Sequence, residues 1–257
     1  MASAATRDRV VFLLREADGI GPIRLVVAGV DGAIRSVLLS EIRGGNEQAT
    51  ETQVGKTAWP GLAIDPSGRR AAVVAATAPI AEVDLDSLAV SYHARATRAP
   101  ASAAKAFQGW QRSALWLPSG QLAVTGTDYD ASVTDGTEQM TGTPAGLTLI
   151  DTSDWSSRVV DAGASFLARA GGALVAYGGA TELERPTPTG IGLRGYGADG
   201  ALRFHLFGSE QIDDVQVGGN LIYITGCKDR CHRIVDTTTG ELAGTASTGN
   251  AVRLVGP

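Results

Sequence analysis

The stretch Trp59-Pro-Gly61-Leu-Ala-Ile-Asp-Pro-Ser-Gly68-Arg-Arg-Ala-Ala-Val-Val74 reads as an apolar strand, a Pro-Ser-Gly turn and a second apolar strand. Pro and Gly set the backbone angles that a tight hairpin connection requires. The same pattern returns as Ser113-Ala-Leu-Trp-Leu-Pro-Ser-Gly120-Gln-Leu-Ala-Val124. Weaker copies are Phe166-Leu-Ala-Arg-Ala-Gly-Gly172-Ala-Leu-Val175 and Val215-Gln-Val-Gly-Gly219-Asn-Leu-Ile222. The turn glycines 68, 120, 172 and 219 lie 52, 52 and 47 residues apart.

A second element follows each hairpin. It reads Glu82-Val-Asp84-Leu-Asp-Ser-Leu88, then Leu149-Ile-Asp151-Thr-Ser-Asp-Trp155, then Ile234-Val-Asp236-Thr-Thr-Thr-Gly240, with degenerate copies at Gly29 and Gly197. Asp84, Asp151 and Asp236 are expected to close Asx turns, as structural residues and not catalytic ones. No long run carries apolar residues at helical spacing, whereas short Val/Ile/Leu segments such as Val10 to Leu14 and Leu221 to Thr225 recur between Gly, Pro, Asp and Ser clusters. A repeat of 40–50 residues with four strands per unit predicts an all-β chain folded as one five-bladed β-propeller over residues 1–257. The N-terminal unit shows three strands and the C-terminus one too many. The strand Ala251 to Val255 is therefore expected to pair beside Arg9 to Arg15 and close the ring, removing the exposed edges. The competing readings are a sandwich of similar strand count and a larger ring lacking a piece.

The elements from Trp59 to Val74 and from Ile80 to Leu88 resemble bacterial YVTN-type and NHL-like propellers, and are similar to uncharacterised secreted actinobacterial propeller proteins. The resemblance spans most of the chain but is architectural. It implies a rigid scaffold without implying a reaction, since such rings host enzymes, binding proteins and scaffolds.

Composition narrows the partners. The 257 residues are 44% hydrophobic and carry a net charge of −5, which excludes a disordered chain. No basic stripe favours nucleic acid, and no apolar run reaches the roughly 20 residues of a membrane helix. Arg outnumbers Lys 19 to 3, the habit of a GC-rich bacterial genome.

Propeller geometry puts residues 46–60, 76–80, 94–112, 127–145, 178–190, 208–211 and 226–230 on one face of the ring, with long loops expected at Ala94 to Gln108 and Thr127 to Ala145, where function concentrates. Trp59, Trp110 and Tyr129 fall there, with Arg112 beside Trp110, a set able to stack on a planar or sugar-like ligand and meet an anionic group. Filling the gaps between blades is an equal role for the two tryptophans, and Trp116 and Trp155 read as packing. Asp128, Asp130, Asp135 and Glu138 offer oxygen ligands to calcium, but depart from the EF-hand spacing and read first as a solvated acidic loop. Otherwise no cofactor is expected.

Cys227-Lys-Asp-Arg-Cys231-His232 holds the chain's only two cysteines. Flanking a three-residue hairpin tip, they are expected to form a disulfide and to mark an extracytoplasmic location, periplasmic or cell-surface, with the leader absent from this sequence. Zinc would have three ligands at most. His93 and His205 read as satisfied edge residues. Glu182 and Glu184 do not converge as a glycosidase pair would. No nucleophile elbow, phosphate loop or metalloprotease motif is present. The reading is a monomeric, non-catalytic propeller binding a protein or small molecule. The alternative is a propeller lyase, lactonase or glycosidase using channel-mouth carboxylates such as Glu210, Asp213 and Asp214, with or without a divalent metal.

Overall fold

The structure is a computed structural model and describes residues 2–15, 19–94, 106–134, 137–182, 189–225 and 232–246. Every regular element among them is a strand. The chain opens with β1 (Ser3–Ala5), β2 (Arg9–Arg15), β3 (Gly21–Gly29) and β4 (Ile34–Glu47), which form an antiparallel meander, and continues into β5 (Gly55–Trp59). A second meander follows as β6 (Gly61–Ile64), β7 (Arg70–Val74), β8 (Ile80–Asp84) and β9 (Val90–His93). The third is β10 (Phe107–Trp116), β11 (Gln121–Thr134), β13 (Leu147–Asp151) and β14 (Ser157–Asp161), with β12 (Thr137–Pro144) inserted. The fourth is β15 (Phe166–Ala170), β16 (Ala173–Tyr177), β19 (Leu193–Tyr196) and β20 (Leu202–Leu206), interrupted by β17 (Gly179–Glu182) and β18 (Thr189–Gly190). The last is β21 (Val215–Gly218), β22 (Leu221–Ile224), β23 (His232–Asp236) and β24 (Glu241–Ala246).

Side-chain alternation packs these sheets face to face. In β7, Ala71 and Val73 enter a cluster with Val11, Leu13, Leu25 and Leu39 of the first sheet, while Ala72 and Val74 enter one with Trp116, Leu122 and Val124 of the third. A strand buried on both faces needs a continuous apolar run, which is why Ala71 to Val74 does not alternate. Further clusters join the third meander to the fourth through Leu149 and Leu174, and the fourth to the last through Val175 and Ile222. Each fully buried Leu or Ile contributes about 1.5–3 kcal/mol. The first strands pack in succession: β1 on β6, β6 on β10, β10 on β15, β15 on β21.

The repeated turns follow the sequence pattern. Gly68, Gly120 and Gly219 have positive φ (73°, 85° and 63°), but in the fourth meander Gly171, at 57°, takes the place expected of Gly172. The Asx turns are present. Asp84 Oδ1 accepts from the Ser87 amide (2.7 Å), Asp151 Oδ1 from the Ser153 amide (2.9 Å) and Asp236 Oδ1 from the Thr238 amide (2.8 Å). Four residues on, Leu88, Trp155 and Gly240 share a left-handed conformation and donate back to the aspartate carbonyl. These bonds hold all three carboxyls below the usual carboxylate range.

Two expectations are corrected. The first sheet has four strands, not three: β1 covers β2 from Val10 to Phe12, an edge expected to await the C-terminal strand. Residues 250–257 themselves lie outside the described residues. The segment Thr127 to Ala145 is not a loop but a hairpin, in which Asp128 pairs with Thr143 and Asp130 with Thr141.

Candidate functional site

The hairpin belongs to a second tier of pairing across the meanders. The end of β4 pairs with β5, β5 runs parallel to the start of β10, the far half of β11 pairs with β12, and β12 pairs with β17. Parts of four of the segments expected on one face, 46–60, 94–112, 127–145 and 178–190, are thus joined in one ladder.

The pleat of this ladder sorts the candidate residues into two groups. Trp110 pairs with Asp128 and Gln108 with Asp130, so Trp110, Arg112, Asp128 and Asp130 share one face. Arg112 Nη1 stands 2.7 Å from Asp128 Oδ1. That oxygen takes no well-aligned hydrogen bond, and the Arg112 Nε–H has no acceptor. Gly126, opposite Arg112, makes this possible: a Cβ there would run into the Gln111 carbonyl and lie 3.0 Å from Arg112 Cδ. Burial pushes the Asp130 carboxyl up, and the Asp128 charge adds to it, against a 3.5 Å hydrogen bond from Gln108. Asp128 and Asp130 are therefore half-buried carboxylates on a paired strand. Asp135 and the Glu138 side chain lie outside the described residues.

Trp59 and Tyr129 lie on the opposite face, with Gln111 between them. Trp59 is in register with Gln111, and the Tyr129 hydroxyl donates to Gln111 Oε1 at 3.4 Å. Trp59 is 42% exposed, so it does not plug a gap between sheets. It stands instead at a cavity of about 540 Å³ bounded by the ends of β2 and β3, the β4–β5 arm and β10. Its described lining includes Arg15, Asn46, Trp59, Gln111, Arg112 and Ser113 over Leu13 and Ile23. Arg15, Asn46, Gln111 and Ser113 were not singled out from sequence. Gln111 meets Trp59 through the parallel β5–β10 pairing, Asn46 comes beside it through the β4–β5 pairing, and Arg15 reaches Asn46 from the end of β2, and none of these approaches has a local sequence signal.

The other candidates are occupied elsewhere. Glu210 pairs with Arg233 (2.6 Å), Asp213 accepts from Gln211 (2.6 Å) and Asp214 from Thr225 (2.6 Å). None of these contacts reaches Arg112. His93 stacks on Trp155 at 3.7 Å and meets Glu82 at 3.0 Å, and Trp116 is buried in the second–third cluster. His205 lies 2.9 Å from the Ile191 and Gly208 carbonyls. At the third–fourth junction, burial raises the Asp161 carboxyl, but bonds from Tyr196 (2.6 Å), Gly163 (2.9 Å) and Arg194 (2.9 Å) outweigh it and hold it below its ordinary value. That cluster is a tie between sheets. Among the described residues no three His, Cys, Asp or Glu side chains gather as a metal site, and no helix is long and apolar enough to cross a membrane. Cys227, Cys231, Glu184 and the Glu182 side chain lie outside the described residues.

No protein-family model and no curated protein matches the chain. Solved structures do. A nidogen/laminin complex chain is similar at 12% identity over 96% of both chains, TM-score 0.43. PorZ, a bacterial surface component of the type-IX secretion system of Porphyromonas gingivalis, is similar at 13% identity and TM-score 0.46, over 97% of this chain and 42% of that one. The Cps50 (Swd1) β-propeller domain of Myceliophteria thermophila is similar at 11% identity and TM-score 0.35, over 93% and 90% of the two chains. At such identities and scores the likenesses say nothing of function.

Proposed function

We propose that the protein is a five-bladed β-propeller that serves as a non-catalytic, extracytoplasmic binding protein, taking a small ligand in the cavity beside Trp59. Five successive four-stranded meanders support the ring, as do first strands packed one on the next. In this reading the ring closes without strand exchange, because β1 to β4 already supply four strands. The close spacing of Cys227 and Cys231 supports the location, and thiol titration of the unreduced protein should find no free thiol.

The observation that carries the binding reading is the half-exposed Trp59 ring at a cavity of a size ordinary for small-molecule sites. A large aromatic left facing solvent beside a concave, partly polar wall offers a stacking platform. Thermal denaturation against a panel of sugars, sugar acids, aromatic acids and nucleotides tests it. At least one class should raise the Tm of the wild type and leave Trp59→Ala unmoved. A panel without effect on the wild type, or acting equally on the variant, overturns the reading.

A further inference from the structure

Resting on that reading, we infer that the ligand is a sugar ring bearing a carboxylate, and that Arg15 receives the carboxylate. The chain holds 27 acidic against 22 basic residues, yet the described lining contains two arginines and neither Asp nor Glu. The two arginines are not equivalent. Arg112 is 94% buried by its 6% exposure, lies over Gly126 and faces Asp128. An incoming anion would have to displace a carboxylate from a desolvated pair.

Arg15 ends β2 and is exposed. Its Nη1 stands 3.0 Å from the end of the Asn46 side-chain amide, and the orientation of that amide that satisfies the Gly45 carbonyl and the Thr57 hydroxyl turns its oxygen to accept from Arg15. The partner is neutral, so the guanidinium is steered without losing its charge, and its remaining N–H groups match a carboxylate in two-pronged fashion. Gly45 holds the neighbouring backbone at φ +127°, and a Cβ there would meet the Gly19 carbonyl.

The rest of the wall sets the ring chemistry. Trp59 gives one flat apolar surface, suited to the C–H face of a sugar. Asn46, Gln111 and Ser113 bring amide and hydroxyl groups, which match ring hydroxyls. A flat aromatic acid would instead call for apolar walls on both sides.

Titration of the full chain with sodium glucuronate and, separately, methyl glucoside tests this, read by calorimetry on the wild type, Arg15→Gln and Arg15→Lys. Glucuronate should bind about tenfold more tightly than the neutral glucoside to the wild type, and the preference should shrink as salt is raised. In Arg15→Gln the glucoside should bind as before and the preference should disappear. Arg15→Lys should retain part of it. Equal binding of the two sugars overturns the anion assignment while leaving the cavity a ligand site. A preference that survives Arg15→Gln overturns the role of Arg15. If neither sugar binds the wild type, the sugar-acid inference falls, and a Tm rise with another compound class leaves the cavity reading standing.

Discussion

The second meander and the first sheet are built from similar strands but live in different surroundings. Both faces of the second are covered: Val73 and Leu85 face the first sheet, Val74 and Ile80 the third. The first sheet is packed against the second meander on one face, and on the other only Val26 among its large apolar side chains is buried. Val11, Leu13, Leu25 and Leu39 are buried against the second meander, while Val10 (45%), Leu14 (38%), Ile34 (73%) and Leu38 (44%) on the other side are exposed. Polar ties also converge on the covered side. Arg35 donates to the Leu85 and Asp86 carbonyls (2.9 and 2.6 Å), and Arg9 meets Asp86 at 2.8 Å. The second meander carries no such exposed large apolar side chain among its described residues. The contrast marks the seam between first and last meander as the thin place of the proposed ring.

Substitutions can break that contrast. Ile80→Ala, in the doubly covered meander, should cost about 3 kcal/mol in chemical denaturation. A loss near zero would mean that the second meander is not held on both sides. Next in size is Asp65→Asn. This carboxylate is buried, and although burial raises its pKa, bonds from the Arg70 amide (2.9 Å), Ser67 (2.7 Å) and the Arg69 amide (2.9 Å) outweigh that and lower it. A depressed folded pKa contributes stability above the unfolded pKa and loses it as pH falls through the folded one. The substitution should therefore cost about 2 kcal/mol at pH 7, and the gap to wild type should close in acid. A gap constant with pH would refute the ionised, hydrogen-bonded carboxylate.

Arg35→Ala should cost about 1 kcal/mol through its two carbonyl contacts; an unchanged denaturation midpoint would show those ties to be idle. Smallest of all, Ile34→Ser on the open face should stay within about 0.5 kcal/mol. A loss comparable with that of Ile80→Ala would show that the face is tightly covered in solution.

Local chemistry explains how much of this was legible in the sequence. The hairpins at Gly68, Gly120 and Gly219 and the aspartate turns could be read because each is decided within six residues by backbone angles and side-chain acceptors. The strand at Thr127 to Thr134 could not. Its polar Thr, Asp, Tyr and Ser residues alternate with little apolar contrast, and its partners, not a core, hold it extended. The site suffered most. Trp59 and Arg112 were singled out together, and both line the cavity, but Arg112 is engaged by Asp128 across the pleat. Arg15 enters by meeting Asn46 of the β4–β5 arm, a residue distant in the chain, which residue periodicity does not encode.

The ladder from β4 through β5, β10, β11 and β12 to β17 has a consequence for how the chain reaches this state. Repeat proteins whose units touch only their neighbours can nucleate anywhere and grow one unit at a time. Here a rung near residue 46 and another near residue 182 belong to the same sheet. The first, third and fourth meanders cannot settle independently: the arm of the first waits for a strand made some fifty residues later, and the hairpin of the third for one from the fourth. Such distant pairings slow folding and leave unpaired edges exposed meanwhile. On a ribosome, the arm ending at Trp59 would emerge well before its partner, so the N-terminal third of this protein needs shielding longer than a simple array of blades would.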